Sequence, residues 1–284
     1  MSRLRISAIS YLNTAPLMWD FEHGDAGLDF DISYTIPSAC ARALKEGKAD
    51  IGIIPAAAYA TVPDLVIIPD IAIAARQAVR SILLVSNTPI EQVKTVALDA
   101  SSMTSVALTK ILFAKWLGGA REYVVMAPYL DEMLRRCDAA LLIGDPALQV
   151  ERERYVTIDL AEEWQARTGK SFVFAFWAVR QAALAGRDAQ AIVDVFKTSR
   201  DHGVRPETLD AIADEWSERL DLPIGMVRAY LVYNIHYYLD PPCLEGLELF
   251  YQYGAEVGAL PQAPELRFCR SDQETARGKI AAQR

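Results

Sequence analysis

Hydrophobic positions recur along the first two thirds of the chain in short blocks. Their period switches between two and about 3.6, the signature of strands alternating with helices. Residues 3–9 alternate as a strand, and residues 13–21 follow a helical pattern that ends near Gly24. Phe30, Ile32, Tyr34 and Ile36 alternate with polar residues, as in a half-buried strand. Pro37-Ser38 predicts a helix start with Ser38 as cap, and Gly47 supplies its terminator. Asp50-Ile51-Gly52-Ile53-Ile54-Pro55 is apolar without alternation, which suits a strand covered on both faces. Strand, helix, strand, helix, strand in this order predicts right-handed crossovers and a parallel sheet. The same patterning gives strands at residues 81–86, 95–99, 123–126, 139–143 and 172–179. Helices fall between them, one running through Trp116 to Gly118-Gly119 and one over residues 129–136. Beyond Gln181 the pattern is helical, over residues 188–201, 206–220, 224–238 and 244–257. The tail after Pro261 is irregular, and its last ten residues are polar.

Length divides these elements. A chain of 284 residues exceeds what one core usually holds. The expected fold class is α/β and two-lobed. Residues 1–88 begin lobe one, residues 89–175 form lobe two, and residues 176–284 return to lobe one. Two hinge strands, near residues 87–89 and 172–177, would join the lobes around a ligand cleft at strand carboxyl ends and helix starts.

Composition narrows the function. A net charge of -8 without a Lys/Arg run excludes a nucleic-acid footprint, and an anionic ligand would need local donors. No run of about 18 uncharged apolar residues occurs, so no membrane span is expected. The start lacks the apolar core of a secretion signal, and Cys40, Cys137, Cys243 and Cys269 form no C-x-x-C pair. Reduced thiols in a cytoplasmic protein are the expectation. His23, His202 and His236 are scattered, so no metal site is expected. The G-x-G-x-x-G and G-x-x-x-x-G-K patterns are absent, which points to no nucleotide or flavin cofactor.

Three loops after strands carry candidate chemistry. Ser10-Tyr11-Leu12-Asn13-Thr14-Ala15-Pro16-Leu17 brings Tyr11, Asn13 and Thr14 to the cleft, although Asn13 is also what would cap the next helix. Ser101-Ser102-Met103-Thr104-Ser105 gathers hydroxyls at a helix start, which favours an anion but also serves capping. Gly144-Asp145-Pro146-Ala147 lets a ligand approach the backbone, or is a turn capped by Asp145. Ser81 opens a strand without a G-x-S-x-G context, so Ser-His-Asp hydrolysis is not indicated.

In order, these segments resemble one family. Ile9-Ser10-Tyr11-Leu12-Asn13-Thr14-Ala15-Pro16-Leu17 resembles the opening signature of the chorismate dehydratases of menaquinone biosynthesis. Leu98-Asp99-Ala100-Ser101-Ser102-Met103-Thr104-Ser105-Val106-Ala107-Leu108 resembles their second-lobe serine/threonine motif, with Met103 where many relatives carry arginine. Ile143-Gly144-Asp145-Pro146-Ala147 and Phe172-Val173-Phe174-Ala175-Phe176-Trp177-Ala178 also fit, and the resemblance covers nearly the whole chain. It implies a type 2 periplasmic-binding-protein-like fold, no cofactor, and chorismate as small-molecule substrate. The implied reaction eliminates water to give 3-[(1-carboxyvinyl)oxy]benzoate. It also implies Asn13 and Ser81 as the central catalytic pair, with Tyr11, Thr14, Ser102, Met103, Thr104, Ser105, Gly144 and Asp145 around the substrate. Neither Asn13 nor Ser81 is a base at neutral pH, so the proton would pass to the substrate's own enolpyruvyl carboxylate. A water relay or Asp145 is the alternative.

Two other functions suit the same fold. One is the sister enzyme of the pathway, which makes 1,4-dihydroxy-6-naphthoate and is expected to use a cleft histidine. The other is a solute-binding protein without catalysis, which would be exported or anchored.

Overall fold

The computed structural model describes residues 3–269; the polar last ten residues lie outside that span. Ten strands form two five-stranded sheets. They are β1 (Leu4–Ile9), β2 (Phe30–Thr35), β3 (Ile51–Pro55), β4 (Leu65–Ala75), β5 (Ile82–Ser86), β6 (Thr95–Asp99), β7 (Glu122–Met126), β8 (Ala139–Ile143), β9 (Val156–Asp159) and β10 (Phe172–Arg180). The first sheet has the order β2-β1-β3-β10-β4 and the second β7-β6-β8-β5-β9. In each, the first three strands run parallel, as their helical crossovers require. The fourth, β10 or β5, is antiparallel to both neighbours. These two are the strands that arrive from the other lobe, so the two sheets share one plan.

The lobe boundaries fall earlier than residues 88 and 175. Strand β5 pairs with β8 and β9 in the second sheet, and all of β10 pairs with β3 and β4 in the first. The crossovers are therefore residues 76–81 and 160–171, and the segments at 87–89 and 172–177 lie inside lobes. The apolar runs look alike in sequence whichever sheet they join, because both faces of each are covered.

Four further differences have local causes. Strand β4 is not among the strands expected from the sequence; its Pro69-Asp70 falls at an irregularity in the pairing with β10, with Asp70 at φ 64°. Ser38 is not the cap: Ile36 is, Pro37 takes the first turn, and the Ser38 hydroxyl donates to Ala100 O instead. The helix expected over residues 224–238 stops at Ala229, passes through a π turn over Tyr230–Asn234, and His236 then bridges to Ala74 of β4. Strand β9 and the helix Leu160–Thr168 lacked a readable pattern.

One apolar core runs through both lobes, from Ile6 and Phe176 through Leu108 and Phe113 to Leu84 and Leu98. Leu83, Val85, Ala97, Met133, Ala140 and Leu142 fill the other face of the second sheet. The second-lobe helix Thr104–Lys115 reaches the helix Pro241–Glu256 of lobe one through Lys115 Nζ to Glu256 Oε2 at 2.7 Å. Among the described residues, no helix is long and apolar enough to cross a membrane.

Candidate functional site

A cleft lies between the sheets, with about 460 Å³ of empty space, part of it open to solvent. Its walls include Tyr11 and Asn13 from lobe one and Ser102, Met103, Thr104, Ser105 and Gly144 from lobe two, with Ile73, Ile82, Ile143 and Phe174 as apolar floor. Seven of the ten residues singled out in sequence thus line one cavity. The other three, Thr14, Ser81 and Asp145, stand behind its wall.

On the lobe-one side, the chain leaves β1 and makes a short 3-10 turn, Leu12–Thr14, before the helix Ala15–His23. Asn13 is partly exposed here and caps nothing by its side chain. Thr14 is buried, and its hydroxyl donates to Asn13 Oδ1 at 3.4 Å, so it orients the amide rather than meeting a ligand. The Tyr11 ring packs on Gly144. A Cβ there would stand 2.7 Å from Tyr11 Cε2, and the backbone sits at φ 63°, so both space and conformation select glycine. Tyr11 Oη lies 3.4 Å from Ser101 Oγ, and burial pushes the phenol up from its ordinary range.

On the lobe-two side, Asp99 organises the loop. Buried at the end of β6, it accepts from Ser101 N and Ser101 Oγ at 2.8 and 2.7 Å, and from Ile143 N at 3.3 Å. The helix Thr104–Lys115 then starts without a side-chain cap. Its first turn, with Ser102 and Ser105, lines the cavity without a charged side chain, an arrangement of the kind that suits an anion. Thr104 differs. Its hydroxyl donates to Phe174 O at 2.9 Å and accepts from Ala57 N at 3.1 Å, both in lobe one. The expectation that Thr104 holds the substrate by hydrogen bond is corrected: its oxygen is consumed in tying the lobes together.

Ser81 is fully buried, and its Oγ accepts a hydrogen bond from Tyr230 Oη at 2.8 Å. Burial holds this phenol well above its ordinary range, so it stays protonated and donates. It therefore holds Ser81, one of the two residues that the resemblance pairs. Sequence reasoning missed Tyr230 because it sits within what reads as an uninterrupted helix. The π turn that places it has no signature in the pattern, although such turns recur at functional sites.

Asp145 Oδ1 accepts from Leu12 N across the cleft at 3.1 Å, and the side chain does not line the cavity. Burial raises its carboxyl to about 6, against the opposing hydrogen bond from Leu12 and the charge of Arg219. No histidine lines the cavity: His202 Nδ1 is 2.7 Å from Asp20 Oδ2, and His236 Nε2 is 2.8 Å from Asp240 Oδ2. His236, Asp240 and Cys243 could supply three metal ligands, but Arg76 already donates to Asp240 Oδ2 at 2.6 Å. Burial also pushes the Cys243 thiol up to about 12.

Comparison with known proteins accords with this geometry. A family model described as menaquinone biosynthesis matches residues 4–256. The chain is 29% identical over 273 residues to a chorismate dehydratase of Thermus thermophilus, covering 89% of this chain and 94% of that one. A solved protein of Archaeoglobus fulgidus superposes with a TM-score of 0.69 at 14% identity, over 91% of this chain and 98% of that one. A Candida albicans protein, described as having the generic periplasmic binding protein fold, superposes with a TM-score of 0.66 at 12% identity, over 96% and 99%. The two-lobed fold is therefore of the periplasmic-binding-protein type, and the chain belongs to the menaquinone biosynthesis family.

Proposed function

We propose that the protein is a hydro-lyase that removes water from chorismate to give 3-[(1-carboxyvinyl)oxy]benzoate. The observation that carries this reading is a cleft walled by neutral donors: Tyr11, Asn13, Ser102, Ser105 and an uncapped helix start. Such donors hold a dianion and orient it without themselves exchanging a proton near pH 7. The absence of histidine from the cavity lining favours this reading over the sister enzyme.

The roles follow from position. The helix start, with Ser102 and Ser105, takes one substrate carboxylate. Asn13, fixed by Thr14, orients the ring and the departing hydroxyl from the cavity wall, and Ser81, fixed by Tyr230, supports that wall from behind. The C–H of the ring carbon that bears the enol ether gives its proton to the substrate's enolpyruvyl carboxylate. The C–H electrons become the new ring double bond, the adjacent C–O bond breaks, and the hydroxyl leaves as water on taking up the proton that the enolpyruvyl carboxyl received. Aromatisation drives the step, and hydrogen bonds at the ring carboxylate stabilise the charge that develops there. Asp145 is the weaker base candidate, because Leu12 N–H already occupies its carboxylate outside the cavity lining.

Incubation of the desalted, chelator-treated protein with chorismate tests the reading, with products followed by proton NMR. Loss of chorismate and growth of the aromatic enol ether are expected. Binding without turnover would instead indicate a solute-binding protein. Turnover only of the cyclised futalosine-derived intermediate would indicate the sister enzyme.

A further inference from the structure

The first crossover contains an anomaly next to Ser81. Arg80 has φ 64°, a left-handed conformation that costs a non-glycine residue free energy and that its surroundings must offset. The offset is visible. Asp159, the buried last residue of β9, accepts from Arg80 N through Oδ2 at 2.6 Å and from Val79 N through Oδ1 at 3.1 Å. The same Oδ1 caps the helix Leu160–Thr168, accepting from Ala161 N at 3.1 Å and Glu162 N at 3.3 Å. One carboxylate thus fastens both interlobe crossovers. The Arg80 carbonyl is held too, by Arg152 Nη2 at 2.8 Å. Ser81 follows directly, with its carbonyl accepting from Gly144 N at 2.8 Å and its Oγ accepting from Tyr230.

We propose that Asp159, seconded by Arg152, is a positioning residue that sets Ser81 for the reaction by holding Arg80 in its strained conformation. The inference rests on the dehydration reading above and assigns Asp159 no contact with substrate. The carboxylate is needed because the crossover N–H groups engage both of its oxygens. A carboxamide has one acceptor oxygen, and its NH2 would face either Arg80 N–H or the Val79 and helix donors. If the carboxylate relaxes, Arg80 leaves the left-handed region and Ser81 turns with it.

The test is a double-mutant cycle. Asp159→Asn keeps a residue that caps helices well, so the fold is expected to survive. Its kcat is expected to fall roughly 10–100-fold, the scale of a misplaced reacting group, with KM little changed. Glycine adopts φ 64° without strain, so in the Arg80→Gly background the same Asp159→Asn change is expected to cost only about twofold to threefold. A merely structural role would lower thermal stability in both backgrounds and leave the kcat losses equal, and equal losses would overturn the proposal. Should Asp159→Asn fail to fold, Arg152→Met repeats the cycle from the carbonyl side, with a smaller kcat loss that Arg80→Gly again relieves; no relief would overturn it. Amide hydrogen exchange separates the two readings. If the native chain leaves chorismate untouched, the dehydration reading fails. The clamp itself still requires faster exchange at Val79 and Arg80 in Asp159→Asn, and unchanged exchange would refute it.

Discussion

The crossover at residues 79–81 and the helix start at residues 101–105 both bring serine hydroxyls to the cleft region, and they are built in opposite ways. Around the crossover, protein groups are spent on one another: Val79 N, Arg80 N, Arg80 O, Ser81 O and Ser81 Oγ each have a partner within the chain. At the helix start, Ser102 and Ser105 line the cavity and the first turn has no side-chain cap. A polar group already satisfied inside the protein contributes position. One left unsatisfied at a cavity wall contributes affinity, because a ligand completes it. Thr104 belongs by sequence to the second stretch and by bonding to the first. Its hydroxyl joins residues 70 apart in the chain and closes the lobes.

The largest expected effect lies at the junction of the two stretches. Asn13→Ala removes an orienting group without removing the anion wall. Turnover is expected to drop by about 100–1,000-fold, while affinity for a non-reacting analogue, read by calorimetry, changes little. Parallel loss of affinity would place Asn13 in the binding class instead.

Thr104→Val keeps shape and removes the latch. It leaves Ala57 N–H and the Phe174 carbonyl buried without this partner, which costs roughly 1–3 kcal/mol. A lower unfolding midpoint is expected, with KM rising less than stability falls. A KM increase with unchanged stability would return Thr104 to the ligand-binding wall.

Ser105→Ala sharpens the contrast from the other side. Thermal stability is expected to hold, while affinity for the dianion weakens by about 1–2 kcal/mol for one lost charge-assisted hydrogen bond. Equal affinity would remove this hydroxyl from the site.

The smallest effect is expected at Asp145, whose carboxyl is raised from 3.8 to about 6 by burial. A raised carboxyl favours the folded state in its protonated form. That contribution is present in full below pH 3.8 and is lost as pH rises through about 6. Asp145→Asn carries no charge and keeps an acceptor for Leu12 N–H. It is expected to melt higher than the native chain at neutral pH, by about 1 kcal/mol of stability, and to converge with it near pH 4. A variant that melts lower at neutral pH would show that the charge is needed.

Much of this arrangement was legible in the sequence because it is local. Alternation marked β1 and short apolar runs marked β6 and β8, and the loops that follow them supplied Tyr11, Asn13, the helix-start hydroxyls and Gly144. What was illegible is long-range or depends on irregular backbone. Pro69-Asp70 hid the continuity of β4, and β9 is too short to show a period. No pattern distinguishes the Thr104 hydroxyl from that of Ser105 until Phe174 and Ala57 are placed beside it. Tyr230 is invisible for the same reason, since only the π turn and the fold bring it 2.8 Å from Ser81.

The central claim is that the protein positions and the substrate supplies the base. A chorismate analogue lacking only the enolpyruvyl carboxylate tests it most directly, with elimination followed by proton NMR under saturating binding. The account predicts that this analogue occupies the cleft and is not dehydrated at a rate above background. Brisk elimination, abolished by Asp145→Asn, would contradict it and make the protein's own carboxylate the base.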